Sequence, residues 1–143
     1  MRRIFFDHAL LADGWARAVG FDIDGGVIRA AEKGALPDGR ERIAGIALPG
    51  LPNLHSHAFQ RLLRGRTEFI TAGREYDDFW SWRELMYRTA NALTPEGLYA
   101  ASRQAFVEMA LSGITTVGEF HYLHHQSDGT PYADVHELAR QVV

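Results

Sequence analysis

The chain has 143 residues, a net charge of −3 and a hydrophobic fraction of 46%, which is enough length for a domain with a core. The mild acidity argues against nucleic acid as a main partner, because phosphate binding calls for a basic face, and no apolar run reaches the roughly 20 residues of a membrane span. With no cysteine there is neither a disulfide framework nor a thiolate metal site, so any metal must use His and carboxylate ligands.

The N-terminus, Met1-Arg2-Arg3-Ile4-Phe5-Phe6, opens like a signal peptide. Asp7 and His8 interrupt it and no cleavage pattern follows, so a cytoplasmic address is the expectation. Residues 1–48 then read as a small β-module. Strands are expected over Arg3–Leu11, Ala16–Ile23 and Val27–Ala31, the last pair joined by Asp24-Gly25-Gly26, which supplies the positive φ of a hairpin turn. A final strand is expected over Arg42–Leu48, up to Pro49.

From Pro49 the texture changes to alternating strand and helix. Leu51–His55 reads as a strand, Phe59–Leu63 as a short helix, and the polar, Gly-containing stretch 64–76 as a loop. Asp77–Leu93 reads as a helix. Thr94-Pro95 starts another, capped by Thr with Pro in the first turn. Its stripe of Leu98, Ala101, Ser102, Ala105, Phe106, Met109 and Ala110 has helical spacing, and Gly113 stands where it ends. Ile114–Phe120 is a second buried strand. After a loop, Asp134 and Glu137 suggest a capping box for a last helix. The order is that of a parallel α/β fold. Two such strands close no barrel and need cover on both faces, so the chain is read as the N-terminal part of a larger protein.

The chemistry concentrates at Pro49-Gly50-Leu51-Pro52-Asn53-Leu54-His55-Ser56-His57. Alternate residues on a strand share a face, so His55 and His57 can aim two imidazoles at one divalent cation such as Zn²⁺. They stand at the C-terminal end of a strand, where α/β barrels place catalytic groups. A hydrolytic zinc site needs about three protein ligands and an open position, and the ion would lower the pKa of its bound water to roughly 7.

Together with Asn53–Arg61, two further stretches resemble the formimidoylglutamate deiminase family of the amidohydrolase superfamily. They are Phe79-Trp80-Ser81-Trp82-Arg83-Glu84-Leu85-Met86-Tyr87 and Glu119-Phe120-His121-Tyr122-Leu123-His124-His125. The likeness runs from Leu51 to the end and more loosely through the β-module. It implies an incomplete (β/α)8 barrel over 49–143, preceded by a small β-sandwich module over 1–48. The implied reaction is metal-dependent hydrolysis of N-formimidoyl-L-glutamate to N-formyl-L-glutamate and ammonia, in histidine degradation. His55 and His57 carry over as ligands of one Zn²⁺, and Gln60, Arg83 and Tyr122 as substrate-binding residues; a homodimer of the full-length enzyme is compatible with the likeness. The chemistry suits the task, since Arg binds a carboxylate bidentately and Tyr and Gln add neutral hydrogen bonds.

Each of these residues also has an ordinary reading. Gln60 can be a surface residue near a helix start, Arg83 can pair with Glu84, and Tyr122 can be a strand-end aromatic. Trp80 and Trp82 suit packing, His124 and His125 suit a solvated loop, and Glu119 and His121, alternating on the second strand, are pocket-lining candidates. The superfamily completes its metal site with a further His and an Asp from later strands and uses another His for proton transfer. Those segments are absent, so no catalytic acid–base residue is assigned in this chain, and alone it is expected to be inactive. Two alternatives stay open: a related deaminase or chlorohydrolase acting on a nitrogen heterocycle, and a catalytically silent chain.

Overall fold

The computed structural model describes residues 1–70 and 78–143. They fall into two compact units, Met1–Gly50 and Leu51–Val143.

The first unit is one mixed five-stranded sheet. Strands β1 (Arg2–Leu11), β2 (Gly14–Asp24) and β3 (Val27–Lys33) form an antiparallel meander, and the two short strands β4 (Glu41–Arg42) and β5 (Ile46–Ala47) run parallel to β1. Gly25 and Gly26 turn β2 into β3, both at positive φ. The strand expected over Arg42–Leu48 is instead broken in two. Gly45, at φ 107°, takes the backbone out of extended geometry between β4 and β5. A bidentate pair from Arg2 to Glu41, and Nη2 of Arg42 donating to both carboxylate oxygens of Asp7, fasten β4 beside β1. Ile4, Ala9, Ala16, Val19 and Phe21 form the buried face. Arg40 lies over Gly20 with its side chain only 4% exposed, donating to Asp22 at 2.6 Å and to Glu32 at 2.9 Å.

The second unit begins with β6 (Leu51–Ser56), which pairs in parallel with β7 (Ile114–Glu119). Between them lie a 3₁₀ helix (Ala58–Leu63), α1 (Phe79–Asn91) and α2 (Pro95–Leu111); α3 (Glu137–Arg140) follows. Both longer helices start on a side-chain cap. Asp78 and Ser81 form a reciprocal capping box, and Thr94 accepts from the Gly97 amide with Pro95 in the first turn. Gly113, at φ 86°, ends α2 and turns the chain into β7. Of the expected stripe of α2, Leu98, Ala101, Ser102 and Ala105 are buried, Phe106 and Met109 are half-buried, and Ala110 is exposed. Leu98 packs with Phe59, Leu63, Met86, Ala90, Leu138 and Val142 in a single cluster. Each large apolar side chain buried there contributes about 1.5–3 kcal/mol.

The strand expected to be buried over Ile114–Phe120 ends at Glu119 and carries only half-buried and exposed residues, so His121 lies past it rather than on it. Two helices also differ from expectation. The last helix has four residues and no capping box: Asp134 instead accepts from the His136 amide and pairs with Arg140, a turn geometry that competes with capping. The helix expected over Asp77–Leu93 is observed as Phe79–Asn91, because Asp78 is its cap. Asp77, and the loop expectation from Thr71 to Tyr76, lie outside the described residues.

Candidate metal centre

His55 ends up near the close of β6, and His57 one residue past it, in a non-helical conformation that opens the 3₁₀ helix. The strand end, rather than simple alternation, therefore sets their geometry. The two Nε2 atoms face each other at 3.1 Å, with the rings edge to face. The other nitrogen of His57, Nδ1, donates to the carbonyl oxygen of Phe120 at 2.9 Å. That bond fixes the tautomer, leaving Nε2 of His57 as a lone-pair donor. Asn53 supports the first histidine, its Oδ1 accepting from the His55 amide at 3.2 Å.

β7 holds the far side. Glu119 accepts from the Ala58 amide at 2.7 Å through Oε1, and its Oε2 is buried with no partner. Nε2 of His121 is likewise buried and unpartnered. Burial holds His121 below the usual imidazole pKa, and nearby His124 adds to this; the Leu123 backbone and Glu119 oppose it. The rings of His121 and His124 meet edge to face at 5.1 Å.

The three expected substrate-binding residues are placed unequally. Gln60 and Tyr122 meet: Nε2 of Gln60 donates to the Tyr122 hydroxyl at 3.0 Å, and that hydroxyl points to Sδ of Met86 at 3.4 Å. The Tyr122 ring stands edge-on to His57 at 5.2 Å and to Phe59 at 5.3 Å. Burial raises the Tyr122 pKa; the Gln60 bond opposes this and Tyr87 adds to it, so the phenol stays a neutral donor. Arg83 is exposed on α1. Its guanidinium lies 4.6 Å from the Tyr87 ring centre and 5.7 Å from that of Trp80, and it donates to the Tyr87 hydroxyl at 3.3 Å. Trp82 packs against the core cluster, while Trp80 is exposed against Phe79. Tyr87 closes the Phe79–Tyr87 motif, and its i, i+4 spacing from Arg83 brings the two side chains together.

A cavity of about 360 Å³ opens beside the histidine pair, with Asn53, His55, His57, Arg61, Glu108 and Met109 in its wall. Arg61 donates twice to Glu108, at 2.7 Å each, tying the 3₁₀ helix to α2. Arg61 is the largest cause holding the Glu108 carboxyl down to about 2. Among the described residues, no group of three or more His, Asp or Glu side chains is placed to hold a metal ion, and no helix is long and apolar enough to cross a membrane.

Comparison with known proteins matches this architecture. Residues 1–45 match the model of the formimidoylglutamate deiminase HutF N-terminal domain, and residues 46–143 that of the amidohydrolase family. The formimidoylglutamate deiminase of Pseudomonas aeruginosa is 49% identical over 99% of this chain, and the chain spans 31% of that protein's length. An 8-oxoguanine deaminase of the same organism is 36% identical over 54% of the chain. Among solved structures, an amidohydrolase from Brucella melitensis superposes with a TM-score of 0.88 at 46% identity, covering 99% of this chain and 31% of that one. The zinc complex of atrazine chlorohydrolase TrzN from Arthrobacter aurescens with atraton shares the fold, at a TM-score of 0.72 and 24% identity over 99% of this chain and 32% of that one. With a family model matching from residue 46 to the last residue, the chain belongs to the amidohydrolase family.

Proposed function

We propose that the enzyme containing this chain hydrolyses N-formimidoyl-L-glutamate to N-formyl-L-glutamate and ammonia with one divalent metal, zinc, held in part by His55 and His57. In this reading β6 and β7 are the first two strands of a (β/α)8 barrel, and the sheet of residues 1–48 is one part of a β-sandwich.

The observation that carries the reading is the convergence of the two imidazoles. Two nitrogens bound about 2.0–2.1 Å from a tetrahedral zinc lie about 3.3 Å apart, and the Nε2 atoms stand 3.1 Å apart. Donation of a ligand's second ring nitrogen to a backbone carbonyl is what metal-bound histidines do, and His57 does it. The donor set therefore fits a borderline cation. Such an ion, when bound, supplies Lewis acidity and an acidified water.

The chain's own residues bind and orient. Arg83 presents a planar fork to a substrate carboxylate, held by Tyr87 and Trp80. Gln60 and Tyr122 form a hydrogen-bonded pair beside His57, with a donor and an acceptor to offer a polar substrate. The reaction balances as water added at the formimidoyl carbon and ammonia released.

The substrate rests on the alignment over 99% of the chain with a formimidoylglutamate deiminase; the 8-oxoguanine deaminase aligns over 54% only. The test is ammonia release by the full-length enzyme from formimidoylglutamate and, in parallel, from 8-oxoguanine. Turnover of the heterocycle with none of formimidoylglutamate would reject the reading.

A further inference from the structure

We propose that Glu119 is a positioning residue for metal ligand His57, clamping the backbone on its C-terminal side while the next residue, Phe120, holds its ring. The inference rests on the metal reading above and extends it to a residue outside the ligand set.

Glu119, the last residue of β7, and Phe120 just after it bond to the residue following His57 and to the His57 ring. Glu119 Oε1 accepts from the Ala58 amide at 2.7 Å, and the Phe120 carbonyl accepts from His57 Nδ1 at 2.9 Å. The Phe120 amide in turn donates to the carbonyl of Ser56 at 2.9 Å. The residues on both sides of His57 and the imidazole itself are thus tied to the last residue of β7 and the one that follows it. His57 sits at φ −132° and ψ 82°, where the strand has ended and the 3₁₀ ladder begins. The His57 carbonyl accepts the first bond of that ladder, from the Gln60 amide at 2.9 Å, and the bonds to Glu119 and Phe120 add the long-range hold on its other side.

The choice of residue is informative. Covering one carboxylate oxygen of a half-buried acid while the other makes a single hydrogen bond is a costly way to satisfy one amide. Glu119 nevertheless keeps Oε2 buried and unpartnered at the strand end, and His121, past that end, also keeps a buried unpartnered nitrogen. Its Oε1 reaches from β7 to Ala58 across the parallel pair, where Ser56 stands in register with Glu119. Groups that orient a metal ligand from behind typically control metal affinity by about 10- to 100-fold when removed.

The test compares the full-length zinc enzyme with its Glu119→Gln and Glu119→Ala variants. Zinc release to excess chelator is followed alongside the melting temperature of the metal-free protein. Glu119→Gln keeps an acceptor at the Oε1 position and should release zinc within about threefold of the wild-type rate. Glu119→Ala should release it roughly 10- to 100-fold faster, with the metal-free melting temperature close to that of Glu119→Gln. Wild-type zinc retention in Glu119→Ala would overturn the proposal. So would a metal-free melting temperature that falls in Glu119→Ala alone, since the loss would then be one of folding. If the wild-type enzyme holds zinc but does not act on formimidoylglutamate, the substrate reading fails while the clamp stands.

Discussion

His57 Nδ1 donates to the carbonyl oxygen of Phe120, 63 residues away in sequence, at 2.9 Å. This bond joins the ends of β6 and β7 and turns a common His-x-His sequence into two converging nitrogens. In the full-length enzyme, His55→Ala and His57→Ala should each abolish metal retention and activity together. Each removes one nitrogen of the pair, and the chain has no cysteine to replace it. Elemental analysis of the purified variants decides it: full zinc content and turnover in His57→Ala would end the metal assignment.

Arg83 makes its described contacts with aromatic neighbours and a phenol, Trp80 and Tyr87, which hold the guanidinium without neutralising it. Arg83→Met in the full-length enzyme should keep fold and metal. A hydrogen bond to a charged group contributes about 1.5–3 kcal/mol, so kcat/KM for formimidoylglutamate should fall roughly 10- to 150-fold. Arg83→Lys should recover only part, lacking the planar fork. Ammonia release from formimidoylglutamate and from a neutral formimidoyl amine is compared. Equal losses on both would make Arg83 structural.

Local signals were legible in the sequence because local physics decides them. Asp24-Gly25-Gly26, Thr94-Pro95 and Gly113 each form the turn, cap or stop their side chains favour. The break at Gly45 escaped because a lone glycine in an apolar run reads as part of the strand until its φ is known. Asp134 and Glu137 matched a capping spacing, yet Asp134 had a nearer partner in the His136 amide and a charged one in Arg140. At the site, the His-x-His spacing pointed to a convergent pair, although His57 lies past β6 and the strand end sets the geometry. The tautomer of His57 was not readable, because Phe120 acts through a backbone oxygen that no sequence motif displays. Glu119 was visible only as one of two alternating polar residues. Its bond to Ala58 depends on the register of β7 beside β6.

Gly20 leaves room for Arg40. A Cβ at Gly20 would stand 2.6 Å from Cζ of Arg40, whose guanidinium is nearly covered and shared between Asp22 and Glu32. Arginine is flexible enough to swing away, so the loss is that of its partners rather than a rigid clash. Gly20→Ala should destabilise by about 1–3 kcal/mol. In an Arg40→Ala background the same substitution should cost much less, since the two sites couple through contact. Thermal melting of the four variants closes the cycle, and strictly additive effects would show that Gly20 serves another purpose.

Acid should loosen the second unit through Glu108. Its carboxyl is held from 4.5 down to about 2, first by the hydrogen bond from Arg61 and then by that from Gln104. A carboxyl depressed in the folded state stabilises it above the unfolded pKa, and that contribution is lost as pH falls through the folded one. The stabilisation from Glu108 is therefore complete above about pH 4.5 and is withdrawn toward pH 2. Glu108→Gln should lower stability near neutral pH and flatten its dependence on pH across that window, because the variant has no proton to take up. Salt should shrink the difference, as the pair is partly open to solvent. Circular dichroism of both proteins between pH 6 and pH 2 reads the effect, and parallel acid-unfolding profiles would show that the Arg61–Glu108 pair contributes nothing to holding the 3₁₀ helix on α2.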